Sequence, residues 1–283
     1  MLIVGDGVPP AGREAARQLV DADPRVRFLD NPKGRRHGEE HRHRALAQAR
    51  GEVVLYLCDD DLWRPDHVAT MRELLRNADF AHTLAVAVEG DGQLFTYSGD
   101  LALTGVVARM HNGRNFIPLS CAGHTLEAYR RLPHGWHPAP PDVPTDLHFF
   151  QQVLRQPGCR ASSSHLPTVV HFPTPLRPGW SGERRLAELD SWYRVVADGE
   201  SWTRVVLDLL AAVSRARAAA DEALAEAQRR RGETEAALAV TEAKLAAMRR
   251  TATWRLHDRL IALPPARRIL GPVVQVLAGR RGL

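Results

Sequence analysis

The sequence has few cysteines and no long uninterrupted apolar run, and both shortages limit what the protein can be. Its three cysteines, Cys58, Cys121 and Cys159, are too few and too unevenly spaced for a disulfide framework, and no CxxC pair indicates a zinc or redox site. No segment reaches the roughly 18 consecutive apolar residues of a membrane-spanning helix. The N-terminus also lacks the basic and apolar regions of a signal peptide. These features predict a protein of the reducing cytoplasm.

The sequence also lacks an even distribution of positive charge. The formal net charge is +5, but residues 249–283 hold eight arginines and one acid, Asp258, and so carry +7 by themselves. The preceding 248 residues then hold 30 bases against 32 acids, a net charge of −2. A slightly negative body is not a nucleic-acid-binding platform, so no nucleic-acid partner is expected.

The basic tail, residues 249–283, alternates apolar patches with arginines. This pattern is typical of an amphipathic segment that lies on an anionic membrane surface, and it predicts peripheral attachment at the inner face of the membrane. The alternative is a helical hairpin that packs on the body of the protein or on another subunit.

Residues 1–182 alternate short apolar segments with amphipathic helical ones, which is typical of an α/β domain. Segments 2–4 and 26–31 are predicted strands. EVVLYLC (52–58) is continuous in apolar and β-branched residues, so it is predicted to be a covered central strand. A β-hairpin is expected within 80–110. The alternation of strands and helices, together with this hairpin, predicts a mostly parallel sheet with an antiparallel addition.

From residue 183 onward, Ala, Glu, Arg and Leu dominate the sequence. Residues 183–248 are predicted to be a long helical region with a modest coiled-coil signal, which would give a homo-oligomer. Leu224, Leu238 and Leu245 share one heptad position and Ala220, Ala227 and Met248 share another, while Arg231, Thr234 and Thr241 interrupt the pattern.

Three consecutive carboxylates, Asp59, Asp60 and Asp61, follow the apolar segment 52–58. Ligands of open α/β sheets bind beyond the carboxyl ends of the strands. Carboxylates this close repel each other unless a cation lies between them. Mg²⁺ and Mn²⁺ prefer oxygen ligands, and Mg²⁺ commonly joins carboxylates to substrate phosphates. The triplet therefore predicts a metal and phosphate site; the plainer interpretation is a solvated, acidic helix start.

A second motif, HGEEH (37–41), fits the H-x-x-E-H spacing of a zinc-protease helix. Such a helix is normally buried, whereas this segment is flanked by arginines and contains Gly38. A zinc protease is therefore not favoured.

The segment CDDDLWRPDHVATMRELL (58–75) resembles the DXD region of family 2 glycosyltransferases, inverting enzymes of the GT-A fold. HRHRALAQARGEVVLYLCDDD (41–61) resembles the run before that region in the family, and LIVGDG (2–7) resembles the family's second strand. The resemblance covers roughly residues 1–180. It implies an α/β GT-A fold with a mixed sheet, followed here by a long helical C-terminal extension. The family's first strand and helix do not precede Leu2, so we expect either a chain that begins downstream of its true start or a reduced donor site.

The resemblance implies that the protein binds a nucleotide-diphosphate sugar together with Mg²⁺ or Mn²⁺. Asp6 would contact the nucleotide base, and Asp59 would lie near the ribose and pyrophosphate. Asp60 would hold the metal, with Asp61 as a second ligand or a support. Arg42 would neutralise charge on the departing nucleoside diphosphate.

The resemblance also implies roles for residues of the C-terminal half of this domain. Asp146 matches the catalytic base, with Thr145 where a Glu is common; from the residues alone a helix cap is the plainer interpretation, and Asp142 is the competing base. His171 is expected as a metal ligand, with a structural histidine as the alternative. His124 is expected to line the donor pocket.

Together these features predict a metal-dependent inverting glycosyltransferase that moves a sugar from a nucleotide-diphosphate donor to a hydroxyl of a glycan or lipid-linked acceptor. Its pathway would be the synthesis of a cell-surface polysaccharide or glycoconjugate. The alternative is a non-catalytic helical scaffold that carries a degenerate glycosyltransferase domain.

Overall fold

The computed structural model describes residues 1–97, 99–251, 253–256 and 259. Two units are distinguished, residues 1–214 and residues 215–283. The predicted division of the chain after residues 182 and 248 stays a prediction. Most of the predicted membrane-contacting tail, 249–283, lies outside the described residues.

The first unit alternates strands and helices, as the sequence predicts. The strands are β1 (Leu2–Val4), β2 (Arg27–Leu29), β3 (Val53–Leu55), β4 (Leu62–Trp63), β5 (Phe80–Val88), β6 (Leu94–Phe95), β7 (Ala122–Thr125) and β8 (Ala161–His171). The helices are α1 (Pro10–Ala22), α2 (Glu39–Ala47), α3 (His67–Leu75), α4 (Thr104–His111), α5 (Leu126–Arg130), α6 (Thr145–Leu154), α7 (Gly182–Ala197) and α8 (Gly199–Arg249). The α/β class followed by a long C-terminal helix is confirmed.

The strands form a parallel pair, β1 with β2, and a six-stranded sheet in the order β3-β7-β5-β8-β4, with β6 on β5. In the six-stranded sheet β5 and β8 are parallel, whereas β3–β7, β4–β8, β5–β6 and β5–β7 are antiparallel. A mixed sheet is therefore confirmed, and the hairpin expected within 80–110 is the β5–β6 pair. The expectation of a mostly parallel sheet is wrong.

The predicted central strand, EVVLYLC, also differs from its expected place. It forms β3 at one end of the sheet order, and its apolar side chains Val53 and Leu55 pack against Met71 and Leu75 of α3. The covering helix, rather than a central position, accounts for the apolar run. The buried centre is β5, which pairs with β6, β7 and β8.

The largest core cluster anchors the helix that carries Asp146. Leu147, Phe149 and Phe150 of α6 are buried, and the Phe149 ring stacks on Trp136 with centroids 4.1 Å apart. Burying several large side chains on one helix is strongly stabilising, on the order of 2 kcal/mol each. This packing fixes the first turn of α6, where Asp146 lies.

Helix α7 and the first turns of α8 also belong to the first unit. Val196 of α7 and Trp202 and Leu209 of α8 are buried in a second cluster with Val170 and Phe172. Beyond this cluster the side chains of α8 are largely exposed, including the heptad residues Leu224, Leu238 and Leu245. Among the helices of the described residues, none combines the length and apolar character needed to cross a bilayer.

Candidate active site

A cavity of about 400 Å³ collects residues from distant parts of the first unit. It is lined by Cys58, Asp60, Asp61, Tyr97, Asn115, Ile117, Pro118, Leu119, Asp146, His171, Phe172 and Thr174. Four of the predicted site residues are among them: Asp60, Asp61, Asp146 and His171. The structure thus brings two residues of the acidic triplet, Asp60 and Asp61, and the predicted base to one cavity.

Asp61 presents one carboxylate oxygen that has no protein partner. Its side chain is only 1% exposed, and Oδ1 accepts hydrogen bonds from Nδ1 of His171 at 2.9 Å and from the backbone N–H of Phe172 at 3.1 Å. The other oxygen, Oδ2, is buried and lacks a hydrogen-bond partner among the described residues. A buried polar atom left unsatisfied is costly. Asp61 is therefore ready to accept a ligand.

The residues around Asp61 fit a divalent cation. One potential ligand atom each from Cys58, Asp60 and Asp61 lies within 4.8 Å of the others. Two carboxylates suit Mg²⁺ or Mn²⁺, and the sulfur adds a softer ligand. Together with the orphaned Oδ2 of Asp61, this donor set is consistent with the metal that the sequence implies.

Cys58 is a site residue that sequence reasoning missed, although it directly precedes the acidic triplet. Burial and the charges of Asp61 and Asp60 raise the pKa of its thiol to about 12, despite an opposing hydrogen bond with Ser120. His171, which was predicted as a metal ligand, is not part of the converging group in the described residues. Its Nδ1 donates a hydrogen bond to Oδ1 of Asp61, and its predicted role as a metal ligand stays a prediction.

Asp60 contacts two side chains from the segment that follows β8. Its Oδ2 accepts hydrogen bonds from Nη2 of Arg185 at 2.7 Å and from Oγ1 of Thr174 at 3.0 Å. Arg185 lies on α7, outside the segments that carry sequence motifs. No local pattern indicated that its guanidinium reaches the acidic triplet.

Asp146 is held by two hydrogen bonds at the start of α6. Its Oδ2 accepts from Nδ2 of Asn115 and its Oδ1 from the backbone N–H of Leu147, both at 2.8 Å. Burial raises the pKa of Asp146 above its ordinary value, although these hydrogen bonds and the charge of Arg42 oppose the shift. A raised pKa makes a carboxylate a better proton acceptor near neutral pH.

The alternatives to Asp146 as a base are less well placed. The N-cap of α6 is Pro144, with no side-chain capping bond, so neither Asp146 nor Thr145 is the cap. Thr145 instead donates to Oε1 of Glu39 at 2.8 Å. The competing candidate Asp142 is exposed and does not line the cavity.

Asp6 and Arg42 lie outside the residues that line the cavity. Asp6 follows β1, pairs with Lys33 and accepts a hydrogen bond from the N–H of Gly34 at 2.5 Å. Burial alone would raise the pKa of Asp6, but these contacts lower it below its ordinary value. Arg42 lies over the Trp136 ring, 5.2 Å from its centroid, and donates to the carbonyl of His37 at 2.8 Å. Its charge nevertheless acts on Asp146.

Asp59, the first residue of the triplet, is exposed and does not line the cavity. It lies between Cys58 and Asp60, which both do. Its predicted contact with the ribose and pyrophosphate stays a prediction.

His124 does not lie in a donor pocket, and this prediction is corrected. Its side chain is fully buried; Nε2 accepts from the Tyr56 hydroxyl at 2.6 Å and Nδ1 donates to the Thr125 carbonyl at 2.9 Å. Burial lowers its pKa to about 4, so the ring is neutral at neutral pH. A histidine with both nitrogens satisfied can lie in the core, and residue type alone does not distinguish it from one that binds substrate.

Residues 1–133 match the family described as Glycosyl transferase family 2. This match confirms the resemblance and the GT-A-type fold class predicted from the sequence for that segment. The matched segment includes Asp6, Arg42 and the Cys58–Asp61 cluster, but Asp146, His171 and Arg185 lie beyond it.

Among solved structures, the chain is similar to the crystal structure of S. aureus TarS 1–349, with 14% sequence identity and a TM-score of 0.47. The similarity covers 60% of this chain and 50% of that chain, so this chain spans about half the length of the TarS segment. No curated protein matches this chain.

Proposed function

We propose that the protein is a metal-dependent, inverting glycosyltransferase that uses a nucleotide-diphosphate sugar. One observation supports this most directly. A single cavity is lined both by the converging ligand atoms of Cys58, Asp60 and Asp61 and by the half-buried carboxylate of Asp146. The first group suits a metal that carries a diphosphate, and the second suits a base that activates an acceptor.

On the donor side, Cys58, Asp60 and Asp61 would hold Mg²⁺ or Mn²⁺. The bound ion would supply positive charge for the diphosphate of the donor. Arg42 adds positive charge, since its guanidinium already acts electrostatically on Cys58 and Asp146. By the resemblance, Asp6 is assigned to the nucleotide base and Asp59 to the ribose and pyrophosphate.

On the acceptor side, Asp146 takes the proton of the acceptor hydroxyl. The hydroxyl oxygen forms a bond to the anomeric carbon of the sugar while the bond from that carbon to the diphosphate oxygen breaks, so the configuration inverts. Asn115 and the N–H of Leu147 hold the carboxylate in place. Because Asp146 begins a helix whose other face is buried, its position is fixed before substrate arrives.

The proposal is tested by incubating the full chain with a panel of nucleotide-diphosphate sugars and Mn²⁺ or Mg²⁺, and measuring the nucleoside diphosphate released with and without acceptor. We expect release that EDTA suppresses and that Asp146→Asn lowers far more than Asp142→Asn, its exposed neighbour. If the wild-type chain releases nothing from any donor, the non-catalytic scaffold is the better description.

We further propose that the chain divides into a transferase domain (1–182), a helical region (183–248) and a basic tail (249–283), and that the helical region mediates self-association. Leu224, Leu238 and Leu245 are 57%, 57% and 40% exposed on α8, and a shared heptad stripe of this kind is buried in a coiled coil. Light scattering of the full chain and of a variant with Leu238→Glu and Leu245→Glu tests this, since a dimer should dissociate in the variant.

The setting that we propose is the cytoplasm, at the inner face of the membrane, in the assembly of a cell-surface polysaccharide or glycoconjugate. The basic composition of residues 249–283 supports membrane contact. Co-sedimentation with anionic vesicles should be lost when these residues are deleted, and co-sedimentation that persists would contradict the proposal.

A further inference from the structure

Asp60 has a positively charged partner within the protein itself, Arg185. Nη2 of Arg185 lies 2.7 Å from Oδ2 of Asp60, and the side chains of Arg185 and Asp60 are only 29% and 28% exposed. Thr174 donates to the same oxygen at 3.0 Å and lies 3.4 Å from the guanidinium. Asp60 and Arg185 are 125 positions apart, so the contact depends on the packing of α7.

The segment that carries Arg185 is held firmly beside the cavity. The side chain of Arg177 is fully buried and donates to both carboxylate oxygens of Glu188, at 2.6 and 2.7 Å. It also donates to the carbonyl oxygens of Pro173 and of Val88, the last residue of β5. Because Glu188 lies three residues after Arg185 on α7, this buried pair fixes the part of the helix that faces Asp60.

We propose that Arg185 is the resident counter-ion of Asp60, which a divalent cation must displace, and that the displaced guanidinium then binds the donor diphosphate. This inference rests on the proposed function. Two cations beside one carboxylate repel each other, so the metal and Arg185 compete for Oδ2 of Asp60. A guanidinium released beside a metal-bound diphosphate finds the anionic, bidentate partner for which its geometry is suited.

The arrangement couples the metal to the donor. When the metal binds alone, its binding free energy is less favourable because the Asp60–Arg185 ion pair must be broken. When it binds with a diphosphate, Arg185 regains a negatively charged partner. Arg185 is thereby a positioning residue for the donor, and it disfavours the occupation of the site by metal without donor.

The test uses the full chain, with Mn²⁺ and inorganic pyrophosphate as probes that do not depend on the identity of the nucleotide. Arg185→Ala is compared with the wild type and with Arg184→Ala, a matched control that removes the same charge one residue away. Arg184 lies over the Trp180 ring, 3.6 Å from its centroid, and within the described part of the chain its guanidinium does not pair with Asp60. Calorimetry measures the binding of Mn²⁺ alone and then of pyrophosphate at saturating Mn²⁺.

We expect Arg185→Ala to bind Mn²⁺ about 5-fold or more tightly than the wild type, and pyrophosphate about 10-fold or more weakly, with Arg184→Ala unchanged in both. Equal or weaker Mn²⁺ binding by Arg185→Ala overturns the inference, as does unchanged pyrophosphate binding. If the wild type itself binds no Mn²⁺, the proposed metal dependence fails together with this inference. If the wild type binds Mn²⁺ and Arg185→Ala does not differ from it, only this inference fails, so the two failures are distinguishable. Should Arg185→Ala unfold, as monitored by circular dichroism, Arg185→Gln is measured against the same expectations.

Discussion

Nδ1 of His171 lies 2.9 Å from Oδ1 of Asp61, although the two residues are 110 positions apart in the sequence. The backbone N–H of Phe172 reaches the same oxygen. Two donors on one carboxylate oxygen fix the orientation of Asp61 and leave Oδ2 as the atom available to a cation. We therefore expect His171 to act on the proposed metal site through Asp61.

The role of His171 predicts a loss of metal affinity without the loss of a ligand. Partners that orient a ligating carboxylate typically contribute about 10- to 100-fold in affinity. We expect His171→Ala to weaken Mn²⁺ binding by that range in calorimetry, and Asp61→Asn to abolish binding. His165→Ala is the control, because His165 lies on the same strand with a side chain 73% exposed. Equal Mn²⁺ affinity in His171→Ala and the wild type would refute the role.

The raised pKa of Asp146 predicts the acid limb of the pH–rate profile. A base must be deprotonated, so the rate of transfer should fall as pH decreases through a pKa above the ordinary 3.8 of an aspartate. Asn115→Ala removes a hydrogen bond that favours the charged form. It should therefore move the acid limb to higher pH.

The same profile distinguishes the two candidate bases. Asp146→Asn should lower the rate by about 10²- to 10⁴-fold, and Asp142→Asn should leave both the rate and the acid limb unchanged. A large rate loss in Asp142→Asn with activity retained in Asp146→Asn would reverse the assignment.

The sulfur of Cys58 predicts an unusual metal preference. A site with a sulfur beside two carboxylates favours thiophilic ions more than an all-oxygen site does. We expect Cd²⁺ to bind the wild type with an ultraviolet sulfur-to-metal absorption band that Cys58→Ser lacks, while Mn²⁺ binding changes little. Cys159→Ser, a variant of another free cysteine, should retain the band. A band that persists in Cys58→Ser would show that Cd²⁺ binds elsewhere.

The buried histidines predict a loss of stability in mild acid. The pKa of His124 is lowered by burial from 6.5 to about 4, so the unfolded chain takes up a proton in this range that the folded chain does not. The free energy of unfolding should thus fall as pH decreases from 6.5 to 4, by up to about 3 kcal/mol for this group. His67, whose pKa burial also lowers to about 4, should add a similar dependence.

Urea denaturation at several pH values measures this effect. His124→Gln should show a shallower decrease between pH 6.5 and 4 than the wild type, even though the variant is less stable at neutral pH. His134→Gln replaces an exposed histidine and should keep the wild-type slope. Identical slopes for all three chains would mean that His124 accepts a proton in the folded state.

The sequence placed Asp60 and Asp61 after an apolar strand, and the family resemblance pointed to Asp146 at the start of a helix. The structure brings these three residues to one cavity, and their catalytic and metal-binding roles stay predictions. The predicted central position of EVVLYLC in the sheet was wrong. An apolar strand is favoured both by a central position and by a helix that covers a strand at the end of the sheet. The prediction for His124 was wrong because the sequence does not distinguish a histidine whose two ring nitrogens are hydrogen-bonded within the core from a histidine that binds a ligand.

By itself, the sequence determined the α/β class, the family of residues 1–133, the long C-terminal helix and the position of the acidic triplet, because each depends on periodicity or on motifs within a few dozen residues. Only the tertiary structure decided that Cys58 joins the two aspartates, that Asn115 holds Asp146 and that Arg185 pairs with Asp60. The physical reason is that the last two contacts join residues 31 and 125 positions apart. Their distances are set by how helices and strands pack, which no local pattern encodes.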